Sequence, residues 1–451
     1  MTSNAISRRR FGALAGAAVG ATALSSCATR SGSDKVVTYW TTITDPTTMT
    51  AWNAMIKGFE KANPGYKVKI LPTPSLGTGD ATNLITAVRG HTGPDCYLID
   101  RYTTAQYAGI GLLENLQKYV DQDKGLEDQY LKFALQEGQY NGDVYGMPLD
   151  TDSRGLFFNK SVLAENKIPM KDFDPKNGPM TIEKALDYGL KMNKKDKNGN
   201  YTRIGFIPWN GQGFWATWCL MYRATFFDNK TCQMDLTSPE MEGAYNLFKV
   251  WDKALNFKKV DAFNATYAPP GSPPQQGTFY TGRMAMAVDG NFALSGIKTY
   301  APKLKYGVTY LPVVKDGDPP FTWSGGFAMV MPKGPANAEG GWKFIKYMTG
   351  PEGQRIYSKM TSHLPTWKSL LKEKDVIKGQ EFFAEILKYS SSRPPLPVNA
   401  QLQSALDTAT QSIQVSGEDP VNALKAAQKQ MEQNMKQFCP FKLPPPTLSN
   451  A

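Results

Sequence analysis

The sequence predicts an α/β fold, and three observations support this class. Strand-like and helix-like segments alternate through the first hundred residues with short links, which is typical of a parallel sheet covered by helices. A second set of helical and strand-like segments alternates between residues 181 and 288. The chain has 451 residues, of which 41% are hydrophobic. This is enough to bury a substantial core in two or three domains.

The elements of the first hundred residues each have a local reason. Residues 36–41 (VVTYWT) are β-branched and aromatic, which favours a strand. Residues 46–62 carry large apolar side chains at helical spacing, and Asn63-Pro64-Gly65 ends the helix. The same alternation continues with a strand, a helix and a strand, at residues 66–71, 80–89 and 96–99.

The middle of the chain predicts a hairpin followed by a second α/β region. Asn141-Gly142-Asp143 favours a tight turn between two short strands. Helical spacing then recurs through the rest of the chain, at residues 181–192, 213–226, 239–255, 339–348, 352–360, 400–413 and 420–438. Strand-like runs lie at residues 203–207 and 284–288. We therefore expect a second α/β unit with helices at its C-terminal end.

The first 26 residues predict an export signal. Three arginines at residues 8–10 precede 14 uncharged, mainly apolar residues, a run too short to span a bilayer. Residues 7–11 (SRRRF) resemble the twin-arginine export motif, although Gly12-Ala13 replace its usual Leu-Lys. Residues 24–27 (LSSC) resemble a lipobox, so we expect cleavage before Cys27 and lipid attachment to its thiol. The alternative is a soluble secreted protein in which Cys27 has no such role.

The net charge does not indicate a nucleic-acid partner. The chain carries 51 Lys and Arg against 40 Asp and Glu, a net of +11, and removing the three signal arginines leaves +8. The densest basic run, residues 193–197 (NKKDK), precedes Asn198-Gly199-Asn200 and is typical of a solvated turn. No arginine-rich helix or interleaved aromatic pattern accompanies it. We interpret the basic character as a surface property.

The cysteines and histidines exclude several kinds of site. Beyond Cys27, four cysteines allow three disulfide pairings, and they are Cys96, Cys219, Cys232 and Cys439. The Cys219–Cys232 pair is the most local, and four buried thiols are the alternative. The chain has two histidines, no Cys-x-x-Cys, no His-Glu-x-x-His and no Gly-x-Ser-x-Gly. We therefore expect no metal and no cofactor.

Eight sequence passages occur in the order found in one protein family. They are residues 36–40, 59–68 (FEKANPGYKV), 93–95 (GPD) with 100–101 (DR), 145–149 (YGMPL), 156–160 (LFFNK), 279–290 (FYTGRMAMAVDG), 325–327 (GGF) with 332–334 (PKG), and 342–353. In this order they resemble the extracellular solute-binding proteins of ABC importers, in the carbohydrate-binding branch similar to maltose-binding protein. The resemblance covers residues 36 to about 353 and fades beyond residue 355.

The resemblance implies a type II, periplasmic-binding-protein-like fold, in which two α/β lobes meet at a hinge and the ligand lies in the cleft between them. It also implies a receptor without catalytic activity. We place the export signal at 1–26 and a lipidated tether at 27–34. Lobe one comprises residues 35–149 and 312–355, and lobe two comprises residues 150–311 and 356–451. The chain is expected to cross between the lobes at 145–149 and at 306–312.

A sugar cleft requires aromatic faces beside hydrogen-bonding groups, because sugars present C–H surfaces and hydroxyls together. The resemblance aligns Asp100 and Asp152 with acidic sugar ligands of the family, and Phe292 with an aromatic platform. Asp100 could instead cap the helix that follows it. The predicted ligand-binding residues are Trp40, Thr42, Asp100, Asp152, Trp209, Trp215, Asp289, Asn291, Phe292, Trp323 and Gly325. Tryptophans at helical spacing among apolar residues are assigned to packing, and they are Trp52, Trp251 and Trp342.

Two function classes remain open at this point. The first is a monomeric, lipid-anchored receptor outside the cytoplasm, which binds a di- or oligosaccharide and delivers it to ABC permease subunits. The second is a secreted glycoside hydrolase, which would need two carboxylates roughly 5–10 Å apart. Within the receptor class, a charged solute such as glycerol phosphate or a polyamine is an alternative. An anion would need converging arginines, for which Arg101, Arg154 and Arg223 are candidates, and a cation would need an acidic aromatic cage.

Overall fold

A computed structural model describes residues 35–73 and 80–443 of the chain. The predicted export signal and the whole predicted tether, including Cys27, lie outside these residues. Across the two described ranges, no helix combines the length and the apolar character needed to cross a lipid bilayer.

The regular elements follow in chain order. The strands are β1 (Val36–Thr41), β2 (Lys67–Pro72), β3 (Cys96–Asp100), β4 (Gln139–Tyr140), β5 (Asp143–Val144), β6 (Gly146–Pro148), β7 (Asp150–Thr151), β8 (Arg154–Asn159), β9 (Lys194–Lys195), β10 (Tyr201–Phe206), β11 (Phe226–Asp228), β12 (Gln233–Asp235), β13 (Met284–Gly290), β14 (Tyr306–Thr309), β15 (Thr322–Ser324), β16 (Phe327–Val330), β17 (Leu364–Pro365) and β18 (Ser390–Ser392). The helices are α1 (Pro46–Ala62), α2 (Thr82–Arg89), α3 (Thr104–Gly109), α4 (Gln117–Val120), α5 (Lys132–Glu137), α6 (Lys160–Glu165), α7 (Ile182–Lys191), α8 (Trp215–Met221), α9 (Pro239–Leu255), α10 (Phe257–Tyr267), α11 (Ala293–Tyr300), α12 (Ala338–Thr349), α13 (Pro351–Thr361), α14 (Glu381–Ile386), α15 (Asn399–Ser416) and α16 (Pro420–Met435).

Lobe one is built on a five-stranded sheet with the order β2-β1-β3-β16-β6. Strand β1 pairs in parallel with β2 and β3, and β16 runs antiparallel to β3 and β6. Helix α1 covers this sheet. The Asp45 side chain accepts a hydrogen bond from the Thr48 N–H at 3.0 Å and so caps the first turn, and Pro46 occupies that turn. The apolar face of α1 then buries Trp52 and Phe59 in the lobe-one core.

Lobe two is built on a second five-stranded sheet with the order β14-β8-β13-β10-β9. Strand β8 lies between β13 and β14 and is antiparallel to both, while β10 runs parallel to β13. Every residue of β8 is buried. Helices α8, α9, α15 and α16 contribute most of the helical side of the lobe-two core, which includes Trp218 and Trp251. The packing roles predicted for Trp52, Trp251 and Trp342 agree with their burial.

The structure corrects both predicted crossings. Residues 146–148 form β6, which pairs with β16 in the lobe-one sheet, so the first crossing lies between β6 and β8, at 149–153 rather than 145–149. The second crossing also differs from the prediction. Residues 306–309 form β14, which pairs with β8 inside lobe two, and Leu311, Val313 and Trp323 are buried in or against the lobe-two core. The chain passes into lobe one later, at Gly325-Gly326, immediately before β16. The boundary therefore lies near residue 325 rather than 312. The apolar side chains between residues 312 and 325 are buried in or against the lobe-two core.

The start of the last lobe-two segment also needs correction. Helix α13 extends to Thr361 and packs on α1 of lobe one, where the rings of Tyr357 and Trp52 stack with centroids 4.9 Å apart. Residues 356–361 therefore belong to lobe one. Beyond them, β17 pairs with β7 at the hinge, and helices α15 and α16 pack in lobe two.

The Cys219–Cys232 disulfide, which the sequence left open as one possibility, does not form. Cys232 bonds to Cys439 across 207 residues of sequence, with the two Cα atoms 6.1 Å apart. Cys219 is a buried free thiol in α8, as Cys96 is in β3. Helix α8 is also shorter than predicted, because positive φ angles at Arg223 and Phe226 end the helical path. Sequence distance favoured the local pair, but the fold brings the C-terminal segment against the β11–β12 hairpin.

Replacing Gly326 by alanine tests the crossing. Gly326 has φ +139°, and an added Cβ would lie 2.5 Å from the Asp150 carbonyl oxygen and 2.7 Å from Arg101 Nη1. We expect Gly326→Ala to lower the free energy of unfolding by more than about 2 kcal/mol in urea denaturation. The control is Gly317→Ala, at φ +83° with no atom within 4 Å of the new Cβ. There we expect the free energy of unfolding to fall by about 1 kcal/mol. Equal losses would contradict the close packing at the crossing.

Candidate functional site

A cavity of about 910 Å³ lies between the two lobes, beside the crossing segments. Lobe one contributes Asp100, Phe327 and His363 to its lining. Strand β8, the loop after β10 and the loop after β13 contribute residues from lobe two, and helix α15 forms a further wall. Its position follows from the fold, because strands of both sheets end at the seam where the chain crosses.

The first charged pair in the cavity joins Asp152 to Arg154. Asp152 Oδ1 accepts hydrogen bonds from Arg154 Nη1 and, at 2.6 Å, from the Gly325 N–H. The Arg154 guanidinium also lies over the Trp323 ring, with Cζ 3.4 Å from the ring centroid. Burial lowers the pKa of Arg154, and the Asp152 carboxylate opposes this shift. The pair is almost fully buried, so each charge depends on the other.

The second charged pair joins Asp100 to Arg393. Arg393 Nη2 donates to Asp100 Oδ1 at 2.7 Å, and the guanidinium Cζ lies 4.2 Å from the Tyr102 ring centroid. Burial alone would lower the pKa of Arg393, but Asp100 and Glu137 raise it above its ordinary value. Asp100 Oδ1 also accepts from the Tyr102 N–H at 3.1 Å. Asp100 therefore does cap the short helix that follows it, and it also lines the cavity.

Aromatic rings also line the cavity. Phe292 stacks on the His363 imidazole with ring centroids 5.8 Å apart, and Phe327 contacts the same imidazole. Phe214, which also lines the cavity, meets Trp323 edge to face with ring centroids 5.5 Å apart. Burial lowers the pKa of His363 to about 4, so the imidazole is neutral near pH 7. The cavity thus offers apolar ring surface next to charges that are already paired.

One face of helix α15 forms a polar wall. The residues on this face recur at helical spacing, and they are Ala400, Gln403, Ser404, Asp407, Thr408 and Gln411. The opposite face carries Leu402, Leu406 and Ile413 into the lobe-two core. The helix is therefore amphipathic, with its polar side toward the cavity.

The hinge beside the cavity contains a fully buried arginine. Arg101 Nε donates to Glu137 at 2.6 Å, Nη1 to the Asp150 carbonyl at 2.5 Å, and Nη2 to the Gly325 carbonyl at 2.8 Å. Burial raises the pKa of Glu137, and Arg101 opposes the rise. All three acceptors come from this chain, so Arg101 has a structural role at the hinge.

The structure brings five of the predicted ligand-binding residues to the cavity lining, and they are Asp100, Asp152, Phe292, Trp323 and Gly325. Trp323 is only 1% exposed, and its Nε1 donates to the Thr217 hydroxyl at 2.7 Å. One face of its ring is covered by Arg154. Trp323 therefore supports Arg154 more than it offers a free stacking surface, and Phe292 and Phe214 are the more accessible rings.

The other predicted aromatic ligands lie outside the cavity lining. Trp215 is buried in the lobe-two core between Phe214 and Phe226, which corrects its assignment to the ligand. Trp209 packs against Phe257, and Trp40 packs edge to face on Tyr97, with centroids 6.3 and 6.0 Å apart. These rings have apolar partners in the protein, which explains their position without a ligand.

The remaining predicted polar residues are also absent from the lining. Asn291 is fully buried, where its side chain accepts from the Ser153 N–H and donates to the Ser362 carbonyl, so it ties the crossing to lobe one. Asp289 Oδ1 accepts from the Gly290 N–H, and burial raises the pKa of Asp289 to about 6. Thr42 follows β1 at the same end of the sheet but does not reach the cavity.

Several lining residues were not predicted from the sequence. Arg154 lies two residues after Asp152 at the start of a strand, and that proximity was an available signal. The α15 face was detectable as a polar stripe on a predicted helix, but a polar stripe ordinarily faces solvent. Arg393 lies in a Pro-rich stretch, and nothing local distinguishes it from a surface arginine.

The arginines proposed for an anionic ligand do not converge. Arg101 donates to three partners at the hinge, Arg154 pairs with Asp152, and Arg223 lies outside the cavity lining. Within the ranges that the structure describes, no three His, Cys, Asp or Glu side chains are grouped closely enough to hold a metal ion.

Replacing Asp152 by asparagine tests the buried pair. The change leaves the Arg154 charge without its carboxylate, so we expect the free energy of unfolding to fall by about 3 kcal/mol in chemical denaturation. The control is Asp375→Asn, which removes a carboxylate from the exposed ion pair with Lys359. We expect no measurable change there. A stable Asp152→Asn variant would show that Arg154 does not depend on this charge.

The pKa of His363 predicts a pH dependence of stability. Because its pKa is lowered to about 4 in the folded protein from an unfolded value of about 6.5, the unfolded state binds the extra proton first as the pH falls. His363 therefore contributes a loss of stability between about pH 6.5 and pH 4. We expect His363→Phe, which keeps an aromatic ring, to show a smaller loss between pH 7 and pH 4.5 in denaturation curves. Equal losses would contradict a buried, neutral imidazole.

Named relatives are similar to this chain over most of its length. A maltotriose-binding protein of Pyrococcus abyssi is 23% identical over 417 residues, covering 90% of this chain and 83% of that protein. A maltooligosaccharide ABC transporter solute-binding lipoprotein of Streptococcus pneumoniae is 26% identical over 309 residues, covering 66% of this chain and 67% of that protein.

A solved structure of CpMnBP1 with mannobiose bound has the same fold. It superposes with a TM-score of 0.76 at 23% identity, covering 88% of this chain and 99% of that chain. This similarity confirms the two-lobed α/β fold that the sequence resemblance implied.

The family assignment rests on a match to most of the chain. A family model described as bacterial extracellular solute-binding protein matches residues 54–384. The relatives above are also named as binding proteins, which sets aside the glycoside hydrolase alternative. The chain therefore belongs to the bacterial extracellular solute-binding proteins, and it is a solute-binding protein rather than an enzyme.

Proposed function

We propose that this protein is the sugar-binding subunit of an ABC importer, and that it holds a di- or oligosaccharide in the cavity between its lobes. The observation that carries the proposal is that aromatic rings and two Asp–Arg pairs line the same cavity. Rings such as Phe292 and Phe214 suit the C–H faces of a sugar, and carboxylates accept hydrogen bonds from its hydroxyls.

The size and position of the cavity support an oligosaccharide ligand. Its volume of about 910 Å³ is near the upper end of the range of about 300–1,000 Å³ for small-molecule sites. The cavity lies beside the crossing segments, so lobe closure about the hinge would enclose the ligand and change the surface that a membrane partner meets. The names of the relatives, a maltotriose-binding protein and a maltooligosaccharide transporter lipoprotein, favour the same ligand class.

The export and anchoring of the protein form part of the proposal. Residues 1–26 would direct export through the twin-arginine route, and cleavage would leave Cys27 as the lipidated N-terminus. Residues 27–34 would then tether a monomer to the outer face of the membrane, next to the ABC permease subunits that receive the sugar. The similarity to a protein named as a solute-binding lipoprotein supports this arrangement.

Titration calorimetry with a panel of neutral di- to tetrasaccharides tests the proposal. We expect stoichiometric binding of at least one member, and no change in the sugar when the mixture is analysed by chromatography. Binding of none of the sugars would contradict a neutral saccharide as the ligand. Product formation would contradict a receptor role.

Replacing Phe292 by alanine tests the placement of the ligand. Phe292 stacks on His363 at the cavity and is not part of a core cluster, so the fold should tolerate its loss. We expect affinity for the best sugar of the panel to fall at least tenfold, about 1.4 kcal/mol. The matched control is Phe257→Ala, a partly buried ring on α10 that packs against Trp209 outside the cavity. Unchanged affinity in Phe292→Ala, or an equal loss in the control, would contradict this placement.

A further inference from the structure

We propose that the cavity selects a saccharide that carries a protonated amine, and that Asp407 on helix α15 is the residue that recognises this amine. The inference rests on the proposed function, because it concerns the same cavity, and it specifies the chemical class of the sugar.

The balance of charges in the cavity lining supports this selectivity. The lining contains three carboxylates and two guanidinium groups. Arg154 pairs with Asp152, and Arg393 pairs with Asp100, so these four charges cancel within the protein. In the described part of the chain, Asp407 has no Lys, Arg or His nitrogen at ion-pair distance. Near pH 7 the lining therefore keeps one uncompensated negative charge, and it is on the α15 wall.

The surroundings of Asp407 leave its charge available to a ligand. Asp407 Oδ2 accepts a hydrogen bond from Gln403 Nε2 at 2.8 Å, which satisfies one lone pair with a neutral donor. Burial raises the pKa of Asp407, and the neighbouring Gln403 and Trp215 side chains partly oppose the rise. A partly desolvated carboxylate without a cation has more to gain from an arriving ammonium group than one already paired with arginine.

The other groups that face this cavity do not supply that cation. Arg154 and Arg393 approach from the crossing side and are each bonded to their own aspartate. His363 approaches from lobe one and is neutral near pH 7, because burial lowers its pKa to about 4. A positive charge near Asp407 must therefore come from outside the cavity lining.

One aromatic ring of the lining adds to the case for a cation. Phe214 lines the same cavity as Asp407. An ammonium group that meets both a carboxylate and an aromatic ring gains electrostatic attraction from each, because the π face of the ring carries partial negative charge. A uronic acid or a sugar phosphate would instead meet an unpaired carboxylate, with both arginines already engaged.

Three β-1,4-linked disaccharides that differ only at C2 test this inference. They are cellobiose with a hydroxyl, the glucosamine disaccharide with an amine, and the N-acetylglucosamine disaccharide with a neutral amide. Calorimetry at pH 6 keeps the amine protonated and His363 neutral. We expect the glucosamine disaccharide to bind at least tenfold more tightly than the other two, with an affinity that falls as salt is raised.

Two variants test whether the negative charge of Asp407 itself causes the preference for the amine. In Asp407→Asn, which keeps the size of the side chain, we expect the preference for the amine to disappear. The matched control is Glu418→Gln, which removes one exposed carboxylate just beyond the C-terminal end of α15. We expect the control to keep the preference. Thermal unfolding of both variants checks that the fold is retained.

The possible outcomes distinguish this inference from the proposed function. If cellobiose or another neutral sugar binds as tightly as the glucosamine disaccharide, or if the preference survives in Asp407→Asn, the role of Asp407 is wrong while sugar binding stands. If none of the three disaccharides and none of the neutral panel binds, the proposed function fails and the inference fails with it.

Discussion

The buried guanidinium of Arg101 is the constraint on which the arrangement of the two lobes depends. Its three nitrogens donate to Glu137 in α5, to the Asp150 carbonyl in the first crossing and to the Gly325 carbonyl in the second. A charge removed from water needs partners for all its donors. Because those partners come from three separate parts of the chain, Arg101 fixes both crossings at one point.

The geometry of the cavity depends on the segments that Arg101 holds together. Gly325 accepts from Arg101 through its carbonyl and donates to Asp152 through its N–H, so the hinge and the first charged pair share one peptide segment. Asp152 in turn holds Arg154 over Trp323. The charges near the hinge are thus ordered before any ligand arrives, which lowers the cost of organising a polar site on binding. The α15 wall is the part of the cavity that this network does not neutralise.

The aromatic and cysteine residues show where local reasoning failed. Trp215 and Trp323 both lie near loops, yet one is enclosed by the lobe-two core and the other is covered by a guanidinium. Cys232 pairs with a partner 207 residues away rather than with Cys219. In each case the decisive neighbour comes from a distant segment. Composition and spacing describe which residues prefer burial, but they do not specify which neighbour will cover them.

The sequence by itself determined the α/β class, most helices and strands, and the family, because these depend on local periodicity, turn residues and the order of short motifs. Helix α1, with Asp45 and Pro46 at its start, was predicted at its observed bounds. Only the tertiary structure decided the position of the second crossing, the disulfide and the lining of the cavity. Asp100, Phe292 and Asp407 lie far apart in sequence and meet at one cavity because two sheets and a C-terminal helix converge there. Contacts of this kind depend on how the elements pack together, and no local pattern encodes that packing.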